Sequence, residues 1–337
     1  MEINGGEIIR NELSQNAMGG SELMAYRMAN TINPELLKEF QIIHSRVRNI
    51  DESKIRILVC HDLAGDPESD HLKDGGWNRF HKIVFVSNWQ MQSYINHYGI
   101  PWSKCIVMHN AIEPIDFGID KKKLDTIRLV YHTTPHRGLH ILLPVFAKLA
   151  EEYDNITLDV YSSFGVYGWH ERDEHFKALF DACKEHPKIN YLGAVSNEEI
   201  REALKDKHIY AYPSTWTETS CLSLIEAMSA GLFCVHPNLG ALYETAGNIT
   251  NMYQFNEDAE QHAAIFYNAL KAQIDFLRSF IDNDSEYAFF TELSVDYVKK
   301  YYNWQTRKMQ WEQLLQSMLE VPRAIPKQEE VFVYRTS

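Results

Sequence analysis

The sequence predicts an α/β protein made of two doubly wound domains, each a parallel sheet covered by helices. Three observations lead to that class. The chain has 337 residues, more than one hydrophobic core usually serves, so two domains of ordinary size are expected. Short apolar runs rich in Val and Ile alternate with helix-periodic segments, the pattern of buried parallel strands joined by crossover helices. The alternation is interrupted once, by a stretch at 113–125 that contains Pro114, Gly118 and three consecutive lysines, and then starts again. That stretch is the expected linker.

In the first set, residues 40–43, 55–60, 82–86 and 105–108 read as strands. Residues 21–31 (SELMAYRMANT) read as a helix after a Gly19-Gly20 turn, and 88–98 as a helix capped by Ser87, whose hydroxyl suits a first-turn amide. No strand is evident at 2–10, which points to a first domain trimmed at its start. Trp89 and Trp102 are expected to pack. In the second set the strands are 127–131, 156–161, 189–192, 209–212 and 233–236. Its helices are 139–151, 173–185, 197–206, 222–230 and 242–246. Beyond 257 the pattern is helical to about residue 319 with a break at Asp284-Ser285, and 322–337 reads as an extended tail.

Lys and Arg number 33 against 46 Asp and Glu, a formal net charge of −13. That balance argues against a nucleic-acid binder and against attachment to anionic lipid by charge. Cys60, Cys105, Cys183, Cys221 and Cys234 are scattered and form no CxxC, so neither a disulfide framework nor a zinc site is indicated and a reducing, cytoplasmic setting is expected. The first residues carry no basic-then-apolar signal pattern, and no run approaches the ~18 apolar residues of a membrane span. Membrane contact is expected to be peripheral at most.

The stretch 212–231, YPSTWTETSCLSLIEAMSAG, holds the most chemistry. A strand runs into a polar loop and a helix follows, so free backbone N–H groups open a helix at the carboxyl end of a parallel strand. That is where an anion such as a diphosphate binds. Glu218 lies in the loop. Glu226 lies eight positions later, about two turns into the helix at ~3.6 residues per turn. Carboxylates so spaced can hold the two ends of one elongated polar ligand and accept hydrogen bonds from paired sugar hydroxyls. Taken singly, Glu218 reads equally as a solvated loop carboxylate and Glu226 as an exposed helix residue. In 129–143, LVYHTTPHRGLHILL, Arg137 stands at a helix start, where its planar fork can meet a diphosphate with two hydrogen bonds.

The 212–231 stretch resembles the signature of glycosyltransferase family 4 (glycosyl transferases group 1), in which two glutamates separated by seven residues frame a nucleotide-sugar donor. The resemblance implies a GT-B fold, two Rossmann-like domains facing a central cleft with a last helix crossing back to the first. It divides the chain into an acceptor-side domain at 1–118, a nucleotide-sugar domain at 119–303, a crossover helix at 304–321 and a tail at 322–337. It assigns Glu226 to the ribose hydroxyls and Glu218 to the donor sugar. Thr219, Ser220 and Cys221 fall where the family, which more often has Phe-Gly, presents amides to sugar and diphosphate. Arg137 resembles the cation that stabilises the departing nucleotide, with His132 standing where a second basic residue is usual. Residues 84–112 (VFVSNWQMQSYINHYGIPWSKCIVMHNAI) resemble the end of the first domain. Gly19 and Gly20 resemble the family's first loop and would let a ligand approach the backbone. His61, closing the strand 55–60, resembles the histidine that touches the donor sugar. Residues 301–315 (YYNWQTRKMQWEQLL) resemble the crossover helix, with Trp304 and Trp311 packing it.

The implied activity is retaining transfer of a sugar from a UDP-, GDP- or ADP-sugar to a hydroxyl of a glycan, glycolipid or glycoprotein acceptor. No further cofactor is required, no metal-holding DxD triplet is seen, and no nucleic acid is involved. The competing readings are a nucleotide-sugar epimerase or hydrolase on the same fold, or a non-catalytic sugar-nucleotide-binding protein. A dinucleotide oxidoreductase is disfavoured because no GxGxxG follows a strand.

Overall fold

The computed structural model describes residues 1–9, 19–116, 124–280 and 284–325. The chain folds as two compact units, one formed by Met1–Asn110 with the described residues from Gln305 onward, the other by Ala111–Trp304.

The first unit contains β1 (Glu2–Asn4), β2 (Glu7–Ile9), α1 (Gly20–Thr31), α2 (Pro34–Leu37), β3 (Phe40–His44), β4 (Ile55–Cys60), β5 (Lys82–Phe85), α3 (Asn88–Tyr98) and β6 (Cys105–Val107). Its sheet runs β2-β1-β3-β4-β5-β6, with β3 to β6 parallel. Every residue of β3 and β4 is buried, which is why they read as mainly apolar runs rather than alternating ones; the polar exceptions are Gln41, His44 and Arg56. Ser87 caps α3 as expected, its Oγ accepting the Gln90 N–H at 3.1 Å.

Two expectations are corrected here. Residues 2–9 do carry strands: β1 and β2 form an antiparallel hairpin, and β1 also pairs antiparallel with β3. The turn is Gly5-Gly6 at φ 59° and 89°, the paired positive-φ geometry of a two-residue hairpin. Each strand is only three residues long, so the turn was the legible signal. Trp102 does not pack. It is 62% exposed.

The second unit contains β7 (Ile127–Tyr131), α4 (Leu139–Glu152), β8 (Ile156–Val160), α5 (Lys177–Glu185), β9 (Ile189–Tyr191), α6 (Asn197–Leu204), β10 (Ile209–Ala211), α7 (Leu222–Ser229), β11 (Phe233–Pro237), α8 (Leu242–Ala246), β12 (Asn251–Tyr253), α9 (Ala259–Arg278) and α10 (Asp284–Tyr301). The sheet order is β12-β11-β10-β7-β8-β9, parallel at every pairing. Its core includes Leu129, Phe146, Leu158, Ile209, Leu224 and Phe266. Residues 173–176, expected to open α5, lie instead in a 3₁₀ turn. Asp173 accepts from Ser163 Oγ at 2.5 Å and from the Phe164 N–H at 2.7 Å, and that side-chain bonding competes with helix entry.

Residues 113–116 of the expected linker pack within the second unit: Ile112 N–H donates to Tyr302 O, Trp304 N–H donates to Ile112 O, both at 2.8 Å, and Ile115 N–H donates to Ser229 Oγ at 2.7 Å. Positions 117–123, 281–283 and 326–337 lie outside the described residues; Asp284-Ser285, where a break was expected, are the first residues of α10, and α9 ends at Arg278. Helix α11 (Trp304–Met318) begins where the second unit ends and continues into the first. Trp304 and Trp311 are buried. In the first unit Asn33 N–H donates to Glu312 of α11 at 3.2 Å, and Arg323 pairs with Glu39 at 2.7 Å. Among the described residues no helix is long and apolar enough to cross a membrane.

Candidate functional site

In the second sheet the strand order reverses direction between β7 and β10. The connections leaving these two strands turn to opposite faces, so a crevice opens at their carboxyl ends, the place where open α/β sheets bind ligands. The loop after β7 carries Arg137 and the loop after β10 carries Glu218. The structure brings them together. Arg137 Nη1 donates to Glu218 Oε1 at 2.7 Å, and the Tyr212 hydroxyl donates to the same oxygen at 2.5 Å. Glu218 is only 4% exposed. Burial works against the Arg137 charge, but Glu218, Tyr212 and the other groups facing it together outweigh that and hold Arg137 well above its ordinary value. A cation and a carboxylate are thus fixed in a protected setting, where charge is strongest in effect.

Two glycines hold the loops in register. Gly138 stands at φ 117°, and a Cβ on it would lie 2.1 Å from the Pro213 carbonyl oxygen, so the β7 and β10 loops touch backbone to backbone there. Gly240, at φ 62°, lies so close to Glu218 that a Cβ would sit 2.5 Å from the Glu218 carbonyl oxygen. That carbonyl accepts the Ala241 N–H at 2.7 Å. Beside the pair, Trp216 is 42% exposed, with the Arg137 guanidinium 5.7 Å from its ring centre and His136 edge-on at 5.1 Å.

Glu226 sits about one turn into α7, not two, because the helix starts only at Leu222, and it is buried. Its Oε1 accepts Asn197 Nδ2 at 2.9 Å and lies 3.6 Å from Arg201 Nη1. Both partners belong to α6, one turn apart, so they share a face. Arg201 also donates through Nη2 to the Glu113 carbonyl at 2.6 Å. Asn197, Arg201 and Tyr212 were not singled out in the sequence. The 197/201 spacing was the available signal for the first two, while a strand-end tyrosine gave none. Thr219 and Ser220 are partly exposed and run into α7, whose start has no side-chain cap, leaving backbone amides as the anion-binding groups.

Two further residues expected at the donor site are packed into the unit. Cys221 is buried with its Sγ 3.2 Å from Ser223 Oγ, and burial pushes its thiol up to about 12. It offers its backbone only. His132 is buried against Tyr210 with ring centres 4.7 Å apart, and burial pushes it down to about 3. It is a neutral packing residue at physiological pH and supplies no second cation.

His61, Gly19 and Gly20 belong to the first unit. His61 ends β4, and its Nε2 shares a hydrogen bond with His44 Nδ1 at 3.1 Å; burial pushes His61 down to about 4. Gly19 precedes α1 in extended backbone at φ −72° and Gly20 is the first helical residue, so neither uses a conformation reserved for glycine. Among the described residues no three His, Cys, Asp or Glu side chains group as metal ligands.

Residues 113–284, half of the chain, match the model of the family described as glycosyl transferases group 1. The chain belongs to that family. It is 23% identical over 272 residues to the phosphatidylinositol N-acetylglucosaminyltransferase gpi3 subunit of Schizosaccharomyces pombe, covering 78% of this chain and 55% of that one. It is 27% identical over 145 residues to a subunit of the phosphatidylinositol N-acetylglucosaminyltransferase of Homo sapiens, covering 41% of this chain and 28% of that protein. The chain therefore spans about half the length of these relatives or less. Among solved structures it resembles a glycosyltransferase from Rickettsia africae ESF-5, with a TM-score of 0.63, 17% identity and coverage of 93% of this chain and 85% of that one. Anabaena HepE in complex with UDP-glucose gives a TM-score of 0.57 at 16% identity, covering 78% of this chain and 72% of that one. The fold is GT-B, with two parallel-sheet units.

Proposed function

We propose that this chain transfers a sugar from a nucleoside diphosphate sugar to an acceptor hydroxyl with retention at the anomeric carbon. The observation that carries the reading is the Arg137–Glu218 pair at the switch point of the second sheet, at 2.7 Å, with the uncapped start of α7 following it in sequence. Arg137 and the first α7 amides take up the charge that develops on the departing diphosphate. Glu226 accepts the ribose hydroxyls, and Glu218 faces the donor sugar. The bond from the anomeric carbon to the leaving phosphate oxygen breaks as the bond to the acceptor oxygen forms on the same face, and the acceptor proton passes to the departing phosphate. No enzyme base is needed for that step.

The names of these relatives make N-acetylglucosamine the first sugar to try and phosphatidylinositol the first acceptor. In this reading the chain is cytoplasmic and meets such an acceptor at a membrane surface without being held there by charge, its net charge being −13. A panel of nucleotide sugars in a thermal-shift assay tests donor binding, because a ligand at 100 times its Kd stabilises the folded state by about 2.7 kcal/mol. Proton NMR of the glycoside then reads its anomeric configuration. Retained configuration supports the proposal. Inversion, or release of free sugar without a glycoside, overturns it.

A further inference from the structure

We propose that Trp216 is the platform on which the sugar ring of the donor lies, so that its indole sets how much more tightly a nucleotide sugar binds than the bare nucleotide. The inference rests on the donor reading given above and adds to it a residue that touches the sugar.

Two side chains of the loop after β10 converge on the Arg137 guanidinium. Glu218 accepts from its Nη1 at 2.7 Å, and the Trp216 ring centre lies 5.7 Å from its central carbon. The two residues are two positions apart in the chain. A ligand that lies against the Arg137–Glu218 pair is therefore brought up to the indole.

The ring is carried on a fixed backbone. Ser214, which is buried, holds Trp216 at both of its main-chain groups: its Oγ accepts the Trp216 N–H at 3.2 Å and donates to the Trp216 carbonyl at 2.9 Å. Thr215 Oγ1 donates to the His136 carbonyl at 3.2 Å. The His136 ring stands against the indole and stacks in turn on buried Phe164, with centres 5.2 Å apart and 16° between planes. Ordering of this loop is thus complete before a ligand arrives and costs nothing on binding. Even so, Trp216 stays 42% exposed. The other exposed aromatic residues of the second unit, Tyr243, Phe276, Phe289 and Tyr301, stand on α8, α9 and α10. Trp216 alone of these lies beside the charged pair. A large aromatic face next to a few fixed polar groups is the composition of a small-molecule site.

The chemistry selects the part of the donor that lies there. A pyranose has a rim of hydroxyls and an apolar face of C–H bonds. Glu218 accepts from the rim and the indole covers the face. A diphosphate has no such face. The nucleobase is flat and could stack, but it lies beyond the ribose, at the Glu226 end of the ligand, whereas Trp216 belongs to the Glu218 end.

The test is fluorine NMR on the full chain labelled with 5-fluorotryptophan. The sequence has seven tryptophans, and the Trp216 signal is the one missing from Trp216→Phe. UDP-N-acetylglucosamine, UDP-glucose, GDP-mannose and ADP-glucose are each titrated beside the corresponding bare diphosphate, with calorimetry on the same samples. The Trp216 signal should move with the nucleotide sugar that binds and stay in place with its diphosphate. A signal that moves equally with both, or with neither while calorimetry shows binding, overturns the inference alone. No binding of any of these compounds overturns the donor reading beneath it. Trp216→Ala should weaken the nucleotide sugar about two- to tenfold, the worth of one aromatic contact, and leave the diphosphate unchanged; Trp216→Phe should recover most of the loss. Equal weakening of both ligands in Trp216→Ala would mean that the ring acts only through Arg137, and overturns the platform.

Discussion

Replacing Gly138 by Ala tests whether the two loops of the candidate site are held together as described. Two costs add. At φ 117° an L-residue is strained whatever the surrounding space, by about 1–2 kcal/mol. The new Cβ would also fall 2.1 Å from the Pro213 carbonyl oxygen. That oxygen is backbone, so the loops must part, at a further cost of about 1–3 kcal/mol. The internal control is Gly193→Ala in the same unit. Gly193 also has positive φ, 65°, with nothing within 4 Å of its added Cβ. It should lose only the first amount. Native-state hydrogen exchange on peptides from β7 and β10 reads local opening free energies without requiring the whole chain to unfold in one step. Gly138→Ala should destabilise those strands by about 2–5 kcal/mol, at least about 1 kcal/mol more than the control. Equal effects from the two substitutions would refute the backbone contact that sets Arg137 against Glu218.

Glu226→Ala should weaken nucleotide binding by about ten- to a hundredfold, the worth of hydrogen bonds to a charged acceptor; unchanged affinity by calorimetry would remove the ribose role. Arg137→Ala and Glu218→Gln should each lower kcat by about a hundredfold or more, with smaller effects on donor affinity; wild-type turnover in either would take that residue out of the mechanism. The buried histidines predict an acid-side loss of stability. His132 and His236 are pushed down to about 3 and about 4 by burial, while the unfolded chain titrates near 6.5. The unfolded state therefore binds more protons below about pH 6.5, so stability present above that pH falls as pH drops toward the folded values. Each should cost about 2 kcal/mol between pH 7 and pH 5. Urea midpoints across that range should show a shallower loss in His132→Gln, and an unchanged slope would count against the neutral buried state.

The parallel strands were legible in the sequence because burial on both faces makes each a mainly apolar run, as in Ile55–Cys60 and Ile127–Tyr131, where a single arginine interrupts it. What escaped had little apolar length to show. The hairpin strands β1 and β2 and the edge strand β12 each mix at least one polar residue into three positions, whereas the equally short β6 is apolar throughout. In the site, Arg137, Glu218 and Glu226 were visible from residue type and position after strands. Their neighbours were not. Tyr212 reaches Glu218 and Asn197 reaches Glu226 across folded backbone, a tertiary relation with no sequence spacing of its own. Gly138 and Gly240 look like ordinary turn glycines until the opposite backbone is seen 2–3 Å from their missing side chains. His132 stands where a second basic residue is usual, and its burial against Tyr210 is likewise seen only in the folded chain.

The central claim is that a nucleoside diphosphate binds at the β7/β10 switch point of the second unit. The most direct measurement is a crystal structure of the chain with uridine diphosphate or the donor sugar found by thermal shift. The diphosphate should lie within hydrogen-bond distance of Arg137 and of the backbone amides at Ser220 to Leu222, with the ribose hydroxyls on Glu226. A diphosphate bound elsewhere, with the Arg137–Glu218 contact undisturbed and no nucleotide atom near it, would contradict the claim.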